Sequence, residues 1–100
     1  MPAKSLLKER RAITEDSFLD LIIWEIPAPL PGSEHNYKYR LAFVVDGVCV
    51  LRYDNESGKG DHKHIMETEV NFTFNGLKQL VDDFLNDVEQ WRQENEHSND

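Results

Sequence analysis

Cysteine is nearly absent. Cys49 stands alone, so no disulfide can form within the chain, and the disulfide-stapled secreted class is excluded. A single cysteine also cannot build a Cys-rich structural zinc site. Long apolar runs are missing as well. The longest, Leu21-Ile22-Ile23-Trp24, falls far short of the ~20 residues a membrane span needs. The opening segment, MPAKSLLKERRAI, has no apolar stretch of signal-peptide length, so a cytoplasmic, reducing compartment is the expectation. There is no internal repeat and no interdomain linker, and 100 residues make one domain.

Basic residues are outnumbered, 11 against 19 acidic, for a net charge of −8. The excess acid is uneven. Residues 1–34 carry −2, residues 35–64 carry +1 and residues 65–100 carry −7. Global acidity argues against a protein that coats DNA non-specifically. It leaves room for a phosphate site in the middle third, which also holds His35, His62 and His64.

The pattern of elements predicts an α+β fold. Residues 5–13 read as an edge strand and 18–26 (FLDLIIWEI) as a more central one. Pro27 to Gly32 ends it, because proline donates no ladder hydrogen bond. Two β-like runs, 37–45 and 48–54, flank Asp46-Gly47, the strongest short-range hairpin signal in the chain. If Val45 opposes Val48, Leu41 opposes Arg52 and Arg40 opposes Tyr53. That register groups Arg52 and Asp54 with Tyr39, Leu41 and Phe43. Residues 55–64 (NESGKGDHKH) read as a ten-residue polar loop, and 65–73 as a short last strand. Leu77, Leu80, Val81, Phe84, Val88 and Trp91 recur at helical spacing, with Asn75 as the expected N-cap. The predicted architecture is an antiparallel sheet of four to five strands with one C-terminal helix packed across it. Residues 1–92 are expected to form the domain, and 93–100 a frayed acidic tail. Trp24 and Trp91 are expected in the core and Cys49 as a buried thiol. An exposed sheet edge or the hairpin tip could support a homodimer.

Gly58-Lys59-Gly60-Asp61-His62-Lys63-His64 is the most informative stretch. Glycines let a backbone approach a ligand closely, lysine offers a mobile charge for phosphate, and imidazole titrates near neutral pH. If 61–64 is extended, His62 and His64 share one face, with Asp61 and Lys63 on the other. The competing reading is a solvated loop. The run is not a Walker phosphate loop, because the Gly-Lys-Ser/Thr ending is absent. His62 and His64 with either Asp61 or His35 offer three metal ligands, but no fixed zinc pattern is matched. Arg40 and Arg52 could clamp a phosphate, or equally pair with nearby acids. Tyr37, Tyr39 and Tyr53 could stack bases, or simply pack the sheet.

Two blocks carry a family resemblance. Pro31-Gly32-Ser33-Glu34-His35-Asn36-Tyr37-Lys38-Tyr39-Arg40-Leu41 resembles the PGS-x-H-x-YKYRL block of the small bacterial TumE-type toxins. Arg52-Tyr53-Asp54-Asn55-Glu56-Ser57-Gly58-Lys59-Gly60-Asp61-His62-Lys63-His64 is similar to their RYDN-x-x-GKGDH-x-H block. Trp24 to Pro29 and the Phe72-to-Trp91 end also resemble the family, so the resemblance spans about residues 18–91. It implies the toxin half of a two-gene toxin–antitoxin system, neutralised by direct binding of a small helix-turn-helix antitoxin.

Three readings of the chemistry follow. The first is a metal-independent, cofactor-free endoribonuclease. His62 and His64 act as acid and base, with Lys59 and Arg52 on the phosphate. RNA contacts would come from Lys38, Arg40, Tyr53, Asn55, Gly58, Gly60, Lys63 and His35. The second is a non-catalytic module that binds a nucleic acid or a protein. The third is a metal-dependent nuclease built on Asp61, His62 and His64.

Overall fold

The computed structural model describes residues 2–96. Six strands form one antiparallel sheet in chain order: β1 (Lys4–Thr14), β2 (Ser17–Glu25), β3 (Tyr37–Val45), β4 (Val48–Glu56), β5 (Gly60–Ile65) and β6 (Thr68–Asn71). A single helix, α1 (Leu77–Glu96), closes the described chain and packs on the sheet. The α+β architecture is as expected, but the sheet has six strands rather than four to five. The extra strand comes from the supposed loop 55–64. There β4 runs on to Glu56, a turn occupies residues 57–59, and β5 begins at Gly60. This segment lacks the β-branched and aromatic residues that mark most strands. Its backbone is held by pairing with β4 and β6 on either side.

In β2 the odd positions Leu19, Leu21 and Ile23 are buried, while Phe18, Ile22 and Trp24 are half-exposed. The buried set faces α1. There it meets Tyr39, Leu41 and Phe43 of β3, Leu51 and Tyr53 of β4, and Leu80, Phe84 and Val88 of the helix. Phe84 meets the Tyr53 ring edge-on at 5.5 Å, and Trp91 meets Phe43 in the same way. Each such fully buried side chain contributes about 1.5–3 kcal/mol. Trp24 lies on the opposite face of the sheet, outside this core.

The β3–β4 hairpin turns at Asp46 and Gly47, with φ of 50° and 78°, as a two-residue turn with two positive φ values requires. Its register departs from the simple continuation. Val44 opposes Cys49 but Phe43 opposes Leu51, so Val50 is an extra residue on β4. From that bulge outward the pairing is Leu41 with Tyr53 and Arg40 with Asp54. The expected pairs, Leu41–Arg52 and Arg40–Tyr53, do not form. Because side chains alternate with period two, one inserted residue exchanges the faces. Tyr53 turns toward the helix, and Arg52 and Asp54 turn away from it.

Smaller expectations also shift. Gly76, not Asn75, precedes the first turn: its carbonyl accepts from Leu80 N, and the Asn75 amide donates to the Thr73 carbonyl. Cys49 is only partly buried, its Sγ 3.5 Å from the Leu51 carbonyl. The helix continues through residues 93–96 of the segment expected to fray, and residues 97–100 lie outside the described residues. Among the described residues no helix is long and apolar enough to cross a membrane.

Candidate functional site

The face of the sheet turned away from α1 collects most of the polar groups singled out in the sequence. Register alone aligns them. One rung across the strands reads Lys8, Ile22, Arg40, Asp54, His62, Asn71. The neighbouring rung reads Arg10, Asp20, Ala42, Arg52, His64, Glu69. Lys38, cross-strand from Trp24, adds a further cation. Cations therefore outnumber acids on this face of an otherwise acidic protein. Arg10 is tied to Asp20 at 2.9 Å, and this pairing holds the Asp20 carboxyl below its usual range. Lys38 and Arg40 are exposed.

His62 and His64 share this face, as extended backbone at spacing two requires. Their rings stand edge to face with centroids 5.1 Å apart. That contact leaves no room for a phosphate between them. The His62 side chain has no exposed surface, whereas that of His64 is 23% exposed. His62 Nδ1 lies 3.0 Å from the Gly60 carbonyl, which can only accept, so Nδ1 carries the proton. His62 Nε2 lies 2.8 Å from Asp54 Oδ1, but the approach is not aligned as a hydrogen bond. The other Asp54 oxygen, Oδ2, lies 3.1 Å from Arg52 Nε. His64 Nε2 and Glu69 Oε1 are 3.5 Å apart. The atoms Asp54 Oδ1, His62 Nε2 and His64 Nε2 are all buried and without a hydrogen-bond partner among the described residues.

Other expected contacts lie elsewhere. Tyr53 is buried under the helix, its hydroxyl donating to Asp87, so its ring is not free to stack on a base. Lys63 Nζ donates to the same Asp87 at 3.2 Å. Asn55 is buried: its Nδ2 donates to the Tyr37 carbonyl at 2.7 Å and its Oδ1 accepts from Tyr39 N at 3.0 Å. The β3–β4 ladder stops at Arg40 and Asp54, and the Asn55 amide supplies the next rung in place of a peptide group.

His35 and Asp61 also sit on the helix side. His35 Nδ1 accepts from Tyr37 N, so Nε2 donates to Asp61 Oδ1 at 2.8 Å. The Tyr39 hydroxyl donates to the same oxygen at 2.6 Å, and the His35 ring stacks on Phe74 at 3.8 Å. This network anchors the 26–36 segment to β5. Asp61 is thus kept away from His62 and His64, and Asp54 takes the place expected of it. The glycines serve the same docking. A Cβ at Gly60 would stand 2.8 Å from the Gly32 carbonyl oxygen, and Gly58 N donates to the Pro31 carbonyl. Lys59 lines a separate cleft of about 390 Å³ with Gly32, Asp61 and Phe74.

Sequence reasoning placed Asp54 only as an ion-pair partner of Arg52, a pair that is present, and missed its position opposite His62 and that of Glu69 opposite His64. No local signal marked the bulge, because Val48 to Leu51 is one continuous apolar run with no alternation to break.

Comparison with known proteins agrees with the central blocks. A family model described as Toxin TumE matches residues 3–92. No curated protein and no solved structure matches the chain. The match covers the whole sheet and the helix as far as residue 92, the Asp54–His62–His64 cluster included, so the chain belongs to the TumE toxin family, a membership that implies an antitoxin partner.

Proposed function

We propose that this toxin acts on RNA in the cytoplasm as an endoribonuclease, with its reacting groups in the Asp54–His62–His64 cluster. One observation carries the reading: among the described residues, buried polar atoms without hydrogen-bond partners converge beside Arg52, on a cationic face turned away from α1. The reaction is attack of a 2′-hydroxyl on its adjacent phosphorus. The proton leaves the 2′-oxygen, the bond to the 5′-oxygen breaks, and that oxygen takes a proton from solvent. A 2′,3′-cyclic phosphate and a 5′-hydroxyl result. Arg52 and Arg40 stabilise charge on the phosphorane, and Lys38 tracks the backbone. Because the two imidazoles touch, they do not flank the phosphate as an acid and base; His64 activates the attacking oxygen from one side, with the buried His62 behind it. His64 is the ring that reaches solvent. The helix-turn-helix antitoxin would neutralise the toxin by direct binding.

A second reading has one observation in its favour. His62 has no exposed surface, as suits a face that grips its target without turnover. The test is end-labelled RNA and matching DNA, incubated with wild type and with the Lys38→Glu, Arg40→Glu double variant. Wild type cuts RNA and leaves DNA intact. The double variant folds normally, because both side chains are exposed. It binds RNA at least about tenfold more weakly, with a salt dependence shallower by about 0.7 per lost cation. RNA bound but never cut would select the binding module.

A further inference from the structure

We infer that Asp54, His62 and His64 form a binding site for a divalent transition-metal ion of the zinc class. One ligand atom from each residue lies within 4.8 Å of the others. All three residues offer a buried atom with no hydrogen-bond partner among the described residues. With the Nδ1 proton committed to the Gly60 carbonyl, the neutral His62 ring presents its Nε2 lone pair 2.8 Å from a carboxylate oxygen. Two acceptors at that distance repel unless a positive charge lies between them. An aligned proton would make a straight hydrogen bond, and the observed approach is not straight. A cation set to one side, toward His64 Nε2, meets all three atoms together.

The surroundings match how metal ligands are held. A metal-binding imidazole almost always donates its other N–H to a carbonyl or carboxylate, as His62 does to Gly60. Arg52 Nε stands 3.1 Å from Asp54 Oδ2 as an ion pair, itself not aligned as a hydrogen bond, and Oδ1 faces the rings. All three ligands rise from paired strands, β4 and β5, with Asp54 directly opposite His62. Two imidazoles and one carboxylate suit zinc and its neighbours, whereas magnesium and calcium take oxygen ligands. Ligand atoms around a zinc-sized ion stand roughly 3–3.5 Å apart, given bonds of about 2.0–2.2 Å. Rotation of His64, the partly exposed ring, can close the gap. Three protein ligands are the set found in catalytic rather than structural zinc sites. An ion here would supply the one-sided activation that the RNA reading asks of these residues, yet its binding does not depend on that reading.

The experiment is titration of tag-free, full-length protein with zinc by calorimetry and with cobalt(II) by visible absorption. The expected result is one equivalent of each, with ligand-field bands from cobalt. The Asp54→Asn and His64→Ala variants, folded by circular dichroism, should bind at least about tenfold more weakly, the scale of even an outer-shell change. Because Asp54 and His62 are buried, His64→Ala decides the case if the other variant does not fold. No saturable uptake by wild type overturns the inference, as does uptake unchanged in both variants. Uptake without RNA cleavage upholds the ion site and removes the nuclease reading. Chelator-insensitive cleavage without uptake does the reverse.

Discussion

Asp54 and His62 face each other across β4 and β5, with Oδ1 2.8 Å from Nε2, while the other nitrogen of the ring is bound to the Gly60 carbonyl. A pair kept for stability would be expected to align as a hydrogen bond. This one is held close but out of line.

Asp54→Asn separates stability from function. The amide is nearly isosteric and relieves the facing acceptors, at the cost of the part-exposed Arg52 ion pair. Stability measured by urea unfolding should stay within about 1 kcal/mol of wild type. RNA cleavage should fall at least about a hundredfold, as for loss of a proton-transfer group. A loss of several kcal/mol with activity intact would make Asp54 a structural residue.

Asn55→Ala should behave in the opposite way. It removes one buried and one part-buried hydrogen bond and takes away the Asn55 partner of the Tyr37 carbonyl and the Tyr39 N–H. A cost of about 2–4 kcal/mol is expected, since buried groups left unsatisfied are costly. Urea unfolding and toxicity should fall together, with no separate effect on RNA affinity.

Gly60→Ala and Gly58→Ala isolate one close approach. Both glycines have positive φ, 74° and 86°, so both variants bear a backbone cost of about 1–2 kcal/mol. Only at Gly60 does the new Cβ meet backbone, at 2.8 Å from the Gly32 oxygen; at Gly58 nothing lies within 4 Å. Gly60→Ala should therefore be the more destabilising in thermal melts. Equal losses would show that the 26–36 segment is not docked on β5.

Alkaline pH should loosen the fold through Tyr39 and Tyr53. Burial foremost, and then hydrogen bonds to Asp61 and Asp87, push both phenols well above their usual range. An unfolded tyrosine ionises near pH ~10. The contribution of a raised phenol is complete below that pH. It declines as pH rises from there toward the folded-state value, because only the unfolded chain releases the proton. Urea midpoints should fall above pH ~10, and more gently in Tyr53→Phe. A flat profile would mean that neither phenol is held neutral.

Much of this protein was legible locally. The Asp46-Gly47 turn and the spacing of Leu80, Phe84 and Val88 each follow from residues a few positions apart, whereas the nearly continuous apolar run of β2 suggested cover on both faces and only one face is buried. The spacing of His62 and His64 was enough to put both on one face once the segment was extended. The strand itself was hidden, because Gly60 to His64 carry no apolar face and depend on neighbouring strands.

Which groups stand beside the histidines was decided only by tertiary structure. Strand parity is local, but the partner across a sheet depends on register, and one inserted residue inverts it. Val50 is that residue. It turns Tyr53 under the helix and sends Arg52 and Asp54, together with the His64 and His62 paired to them across β4 and β5, to the face turned away from the helix. Asp61, adjacent to His62 in sequence, is carried by the same alternation to the opposite face, where His35 and Tyr39 hold it.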